Sequence, residues 1–295
     1  VPAADTDAAP ETGRLSFSCL PGWEADDLDA ALAAFRLKPD GPLSRAAQAA
    51  TDARTFFETH FRPSTPVPGH FTGYYEPEID GSLKPTDTFP VPIHALPPGG
   101  IDAPRAKIEP RLAGHEIAWL RDEVDRFFLQ VQGSGRIRLV DGGTLRVGYA
   151  GGNGHPYRSI GALLVEREIL GPDITAQALK DWLRADPAQG RAVMAENPSY
   201  VMFAPVDLPP DSGPRGTLCP VTAHRSIAVD PDHTPLGAPV WVEVDGIARL
   251  CIAQDTGSAI RGPGRADLFF GTGDAAGRAA GRLNHPGRFT ALEPR

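Results

Sequence analysis

The sequence is poor in cysteine: Cys19, Cys219 and Cys251 are all it has in 295 residues. Three thiols cannot build the dense disulfide framework of a small secreted domain, and no two of them stand in the Cys-x-x-Cys spacing of a zinc or redox motif. Cys219 and Cys251 each sit near an apolar stretch of the C-terminal region, so a bridge between them is open, but spacing alone does not establish it. No run of 18 apolar residues occurs, and residues 1–13 are small, acidic and proline-containing with no apolar h-region, so the chain as given reads as soluble. A removed signal peptide or a lipid anchor upstream would leave no trace in it. Basic blocks are missing too. The 29 lysines and arginines are scattered among 37 acidic residues for a net charge of −8, which argues against a phosphate-tracking surface and so against nucleic acid as a partner.

What is plentiful is glycine and proline, 32 and 31 residues. Combined with 41% hydrophobic residues, that usage excludes a wholly disordered chain and fits turn-rich β structure with few core helices. The length suits one large domain or two smaller ones, and two is the better reading.

Along the chain, Asp26 is placed to cap a helix carrying Leu28, Leu32 and Phe35, ended by Pro39 and Gly41. An alanine-rich helix opens at Ser44 and reaches Phe56, Phe57 and Phe61, and the prolines after it make 62–69 an extended linker. The apolar spacing of Ile117, Leu120, Val124 and Phe128 predicts a helix over 112–128. Residues 127–149 alternate apolar and polar side chains around the turn Asp141-Gly142, as a hairpin does. Helices follow near 159–170, 175–185 and 187–196. From Tyr200 onward, short apolar runs broken by proline and glycine (201–205, 221–229, 239–244, 248–253, 266–270) suggest a small β-barrel, with a short helix at 274–282 before a last strand at 288–292.

Residues 253–271 carry the densest chemistry. The apolar run Leu250-Cys251-Ile252-Ala253 leads into Asp255, and Asp267 precedes Leu268-Phe269-Phe270, with glycines at 257, 262, 264 and 271 for tight turns. A carboxyl beside so apolar a run loses hydration and holds its proton more tightly, the state a general acid needs. Either aspartate alone is as readily a turn or capping residue. In Gly69-His70-Phe71-Thr72-Gly73-Tyr74-Tyr75-Glu76-Pro77-Glu78 the two tyrosines must point to opposite faces of a strand, which fits either sugar contact or one buried ring per face. His155, in the loop Gly151-Gly152-Asn153-Gly154-His155-Pro156-Tyr157, reads as a loop residue. Gly133-Ser134-Gly135 lacks the lysine and the helix of a phosphate loop.

Together with Ser226-Ile227-Ala228-Val229-Asp230, the loop holding Asp255 and Asp267 resembles the three-aspartate (3D) domain that closes the lytic murein transglycosylase A family. Phe71-Thr72-Gly73-Tyr74-Tyr75-Glu76-Pro77, Val131-Gln132-Gly133-Ser134-Gly135, Gly148-Tyr149-Ala150-Gly151-Gly152-Asn153-Gly154 and Asn197-Pro198-Ser199-Tyr200-Val201-Met202-Phe203 resemble further motifs of that family, in the same order. The resemblance implies a mainly β fold. A double-psi β-barrel built from both chain ends (1–72 and 206–295) would carry the catalysis, a second β-barrel inserted at 73–205 would form the other wall of a glycan groove, and helices would lie at the periphery. It implies Asp267 as the single catalytic acid and base, with Asp255 assisting and Asp230 in a supporting role. Thr72, Tyr74, Gln132, Ser134, Tyr149 and Asn153 become candidates for sugar contacts. The implied reaction cleaves the β-1,4 bond between N-acetylmuramic acid and N-acetylglucosamine in peptidoglycan and leaves a 1,6-anhydro sugar, without metal or cofactor. The implied setting is a monomer in the periplasm, tethered to the outer membrane, if at all, by a segment outside this chain, with cell-wall synthesis proteins as candidate partners.

Three other readings fit parts of the chain. Asp255-Thr256-Gly257-Ser258 resembles the signature of aspartic proteases, but Asp80-Gly81, Asp141-Gly142 and Asp245-Gly246 lack the intervening Thr or Ser of a second half-site. An inverting glycosidase would use Asp255 as base for a water opposite Asp267. A non-catalytic glycan-binding module would keep the groove without the chemistry.

Overall fold

The computed structural model describes residues 15–38, 41 and 43–295. The N-terminal stretch 1–13 and the expected helix stop at Pro39 lie outside the described residues.

Two sheets organise the chain. In the first, β1 (Phe61–Pro63) and β2 (Val67–Glu76) from the N-terminal part join β9 (Ser226–Val229), β10 (Pro239–Val244), β11 (Ile247–Asp255), β12 (Arg265–Thr272) and β13 (Asn284–Pro294). The order β13-β10-β11-β9-β12-β2 closes through a second pairing of β2 with β13, giving a six-stranded barrel with β1 attached to β13. The β9–β11 and β12–β2 pairs are parallel and the others antiparallel. Phe71, Ile227, Val229, Val240, Val242, Leu268 and Phe289 fill the interior. Each such side chain contributes about 1.5–3 kcal/mol by leaving water.

The second sheet runs β4 (Val91–His94), β5 (Glu116–Leu120), β3 (Glu78–Ser82), β6 (Ser134–Leu139), β7 (Thr144–Gly152) and β8 (Val201–Pro205) in spatial order. Its outer strands meet through side chains: His94 Nδ1 of β4 lies 3.0 Å from the hydroxyl of Tyr200, the residue before β8. The helices are peripheral. α1 (Leu28–Arg36), α2 (Ser44–Ala49) and α3 (Ala53–His60) bury Phe35, Phe56 and Phe57 against Trp241 and Leu250 of the barrel. α4 (Arg105–Ile108), α5 (Glu123–Gln132), α6 (Ile160–Glu166), α7 (Ala176–Ala185) and α8 (Pro187–Ala195) accompany the second sheet, and α9 (Gly273–Ala280) packs on β2. A Cβ on Gly73 would stand 2.7 Å from the Ala280 backbone, so α9 and β2 touch there only because residue 73 has no side chain.

Several expectations are corrected. Asp27, not Asp26, caps α1, accepting from Ala30 N at 3.1 Å. Asp26 instead forms a two-pronged pair with Arg225 (2.8 and 2.9 Å) and accepts from Leu250 N, which fastens the start of α1 to β11. The single helix expected from Ser44 is two, because Asp52 is extended and caps α3 through Thr55 N at 2.6 Å. The linker 62–69 is mostly strand, and β2 stays in the barrel as far as Glu76 rather than leaving it at 72. The helix expected over 112–128 is β5 followed by α5: Ala118 and Leu120 alternate inward, and Asp122 caps α5 through Asp125 N at 2.8 Å. Residues 117, 120, 124 and 128 mimic a helical stripe by spacing alone, since Ile117 and Leu120 stand on opposite faces of β5 and only Val124 and Phe128 lie on a helix. The hairpin consequently starts at Ser134, its turn at Asp141-Gly142 as expected. All three thiols are free, so Cys219 and Cys251 are not bridged.

Candidate active site

The site grows out of strand register. Asp267 pairs in parallel with Thr72 and in antiparallel with Ala228, and Ala228 pairs on its other side with Asp255. Paired residues on neighbouring strands share a face, so Thr72, Asp267, Ala228 and Asp255 form a row across β2, β12, β9 and β11 on the outside of the barrel. The Cα atoms of the aspartates are thus two strand spacings apart, about 10 Å, with only a methyl group between them. Asp255 reaches that face because of a register irregularity between Ala253 and Asp255. Without the extra residue, Gln254 would stand opposite Ala228 and Asp255 would turn into the barrel. Gln254 is buried, and its Nε2 donates to Ala34 O in α1 at 2.7 Å, which anchors the irregular turn.

The two carboxyls are provided for unequally. Asp255 Oδ1 accepts from Thr217 N (2.9 Å), Thr217 Oγ1 (3.0 Å) and Thr256 N (2.9 Å), and Oδ2 accepts from the Tyr74 hydroxyl (3.1 Å). Asp267 Oδ1 accepts from the Thr72 hydroxyl at 2.7 Å. Arg265 Nη2 lies 2.8 Å from the same hydroxyl oxygen. A guanidinium can only donate, so the Thr72 proton is committed to Asp267 Oδ1, and Oδ2 is where a proton of Asp267 can sit. Both aspartates keep part of their surface open to solvent while protein crowds the rest. Loss of hydration pushes Asp267 up to about 6, helped by the charge of Asp255 and opposed by Thr72 and Arg265. Burial also raises Asp255, against the pull of its hydrogen bonds from Thr256, Thr217 and Tyr74. Burial and the two carboxylates push the Tyr74 hydroxyl well above its usual range, so it stays a donor. Four donors favour the anion at Asp255 and only one does so at Asp267, so a proton shared by the pair rests on Asp267.

Of the residues singled out in the sequence, Thr72, Tyr74, Asp255 and Asp267 come together here. Asp230 is buried, accepts from Gly262 N at 2.7 Å and thereby ties down the loop between the aspartates; that bond holds its carboxyl below the usual range. Gln132 Oε1 accepts from Tyr75 N at 3.1 Å, joining the end of α5 to β2. Ser134 is buried at the start of β6, and Tyr149 is exposed on β7 at 64% of its surface. Asn153 is 2% exposed, and its amide is spent on Ala103 O, Pro198 O and Tyr200 N at 2.8–2.9 Å. It braces the chain and does not join the aspartates. His155 Nε2 sits 3.1 Å from Asp102 Oδ1, as a loop residue. Tyr75 faces away from Tyr74 and lies against Gly277 of α9, lining a polar cavity of about 210 Å³ apart from the aspartates. Thr217 and Arg265 are the residues that sequence reasoning missed. Nothing in the sequence marks Thr217, a lone threonine in an irregular stretch.

Fold and site define a mainly β protein with a closed barrel, a second sheet inserted in the chain, and a carboxyl pair on the barrel's outer face. A match to the MltA specific insert domain covers residues 70–110 and 102–204, and a match to the 3D domain covers residues 225–293. Membrane-bound lytic murein transglycosylase A of Vibrio cholerae is 36% identical over 240 residues, 75% of this chain and 64% of that protein, so the chain spans just under two thirds of this curated relative's length. The crystal structure of membrane-bound lytic murein transglycosylase from Agrobacterium tumefaciens superposes with a TM-score of 0.83 at 31% identity, covering 96% of this chain and 97% of that one. The crystal structure of Escherichia coli MltA with bound chitohexaose has a TM-score of 0.76 at 28% identity, covering 91% of this chain and 89% of that one. The chain belongs to the lytic murein transglycosylase A family.

Proposed function

We propose that the chain is a lytic transglycosylase that cleaves the β-1,4 bond between N-acetylmuramic acid and N-acetylglucosamine in peptidoglycan strands, with Asp267 as its general acid and base. The unequal hydrogen bonding of the two carboxyls carries this reading, because it leaves one protonated acid beside one fixed anion. Asp267 donates its proton to the glycosidic oxygen as the bond from C1 breaks, and positive charge grows on the muramic acid ring. The Asp255 anion steadies that charge. The C6 hydroxyl of the same sugar then attacks C1, and its proton returns to Asp267, so the cleavage consumes no water. Tyr149, exposed on the second sheet, and Thr72 are the remaining candidates for contacts with the glycan. The relatives' designation as membrane-bound supports a place in the cell envelope, and we place the chain in the periplasm. No helix among the described residues is long and apolar enough to cross a membrane.

Digesting peptidoglycan in heavy-oxygen water tests the reaction. Mass spectrometry is expected to find muropeptides ending in anhydromuramic acid, with no label at the new terminus. A labelled reducing end formed at the main rate would mean that water attacks, and would make Asp255 a general base.

A further inference from the structure

Asp255 takes two of its four hydrogen bonds from one loop. Residue 217 lies between Gly216, whose N donates to Cys219 O at 3.0 Å, and Leu218, whose N donates to Gln254 O at 3.0 Å, so the loop is pinned to β11 at the residue preceding Asp255. A Cβ at residue 216 would stand 2.9 Å from Cys219 O and 3.0 Å from Gln254 O, so the loop approaches this closely only through a glycine. Thr217 itself is exposed, yet both its N–H and its hydroxyl are directed at Asp255 Oδ1, and the hydroxyl also lies 2.8 Å from Thr256 Oγ1. An exposed threonine has water for both groups and no structural need of a carboxylate.

We propose that Thr217 is a positioning residue for the reaction: its two hydrogen bonds to Asp255 Oδ1 hold that carboxyl ionised and turned so that Tyr74 can bind Oδ2, which leaves the proton of the pair on Asp267. The inference rests on the reading of Asp267 as the acid and adds the group that decides which aspartate plays that part. The titratable and charged groups around the pair are Tyr74 from β2, Arg265 and Asp267 from β12, and Cys219 from the pinned loop. Tyr74 and the Cys219 thiol are neutral at working pH, Tyr74 donating to Asp255 and the Cys219 sulfur accepting from Gln254 Nε2, and Arg265 acts on Asp267 by its charge and through Thr72. Thr217 therefore bears on Asp255 without competition from a cation.

Removing the hydroxyl while keeping the backbone N–H takes one donor from the Asp255 anion. Asp255 then binds a proton more readily, and Asp267, facing less negative charge, holds its own less tightly. The two limbs of the pH profile must move toward each other.

The experiment measures kcat and KM from pH 4 to pH 8 for wild type, Thr217→Val, Thr217→Ser and Asp267→Asn, with thermal unfolding as a control on folding. Thr217→Val is expected to narrow the bell, its acidic limb rising by about one on the pH scale, and to lower kcat about tenfold at pH 5 with KM little changed. Thr217→Ser is expected to restore the wild-type profile. A bell of unchanged width in Thr217→Val, or a serine variant as impaired as the valine one, overturns the proposal. Asp267→Asn separates the two layers: an active amide variant sinks the reading of the site itself, whereas an inactive one beside an unaltered Thr217→Val sinks only the role of Thr217.

Discussion

At the scale of single residues, stability and chemistry both favour the protonated form of Asp267. Its carboxyl is pushed up to about 6, above the ordinary 3.8, chiefly by burial. The stability it lends is therefore fully present below about pH 4 and is lost as pH rises through about 6. Catalysis needs the same protonated form, so activity should decline over that range, and a rate that stays flat into alkaline pH in a folded protein would contradict the assignment. Asp267→Asn should lower kcat at least about 10²-fold, because the amide keeps the shape but releases no proton, while Asp255→Asn keeps more activity. The amide should also stabilise the fold by on the order of 2 kcal/mol at pH 8 and by almost nothing at pH 4. Urea unfolding at the two pH values reads this directly, and equal midpoint shifts at both would show that Asp267 is not held protonated by its surroundings.

At the scale of elements, the motif around Thr72 is explained by two faces of one strand. Phe71 points into the barrel, Gly73 meets α9, and Tyr75 lies against Gly277 of that helix, while Thr72 and Tyr74 reach the carboxyls on the opposite side. β9 plays the quieter part of spacer. Ala228 stands between the aspartates, and cross-strand neighbours have their Cβ atoms about 4.5–5.5 Å away, so a longer side chain there must press on both. Ala228→Leu is expected to cost about 1–3 kcal/mol by overpacking and to lower kcat/KM about 10²-fold by displacing the carboxyls. Steady-state kinetics beside thermal unfolding checks it, and a stable variant of undiminished activity would show that the row across β2, β12, β9 and β11 does not set the spacing.

At the scale of the whole molecule, one buried carboxylate fastens the two sheets. Glu76, at the end of β2, accepts from Arg136 Nε of β6 at 2.8 Å, Arg146 Nη2 of β7 at 3.1 Å and Thr272 Oγ1 of β12 at 2.9 Å. The same two arginines donate to carbonyls of Pro209, Pro210 and Ser212, where the chain returns toward the barrel. Removing one partner of such a cluster leaves buried charge uncompensated, so Glu76→Gln should lose about 3–5 kcal/mol. Equilibrium urea unfolding measures it. A loss below about 0.5 kcal/mol, the size expected of an ordinary surface change, would mean that the sheets are held together by other contacts.

The sequence by itself determined the features that depend on near neighbours. Alternation put Tyr74 and Tyr75 on opposite faces, the runs from 201 to 270 announced strands, and the apolar Leu268-Phe269 beside Asp267 announced a carboxyl short of hydration. All of these are local because side-chain direction in a strand repeats every two residues. Local reading failed at 112–128, where a strand runs into a helix and their apolar residues together fall at helical spacing, and where an amide looked available: Asn153, in a glycine-rich loop, is buried against backbone 45 to 50 residues away in the chain. Tertiary structure alone decided which aspartate holds the proton. Thr72 meets Asp267 across 195 residues, Tyr74 meets Asp255 across 181 and Thr217 meets it across 38. Those meetings depend on how strands register in a closed barrel and on one extra residue in β11, and register over such distances is set by the packing of the whole barrel, which no short stretch of sequence encodes.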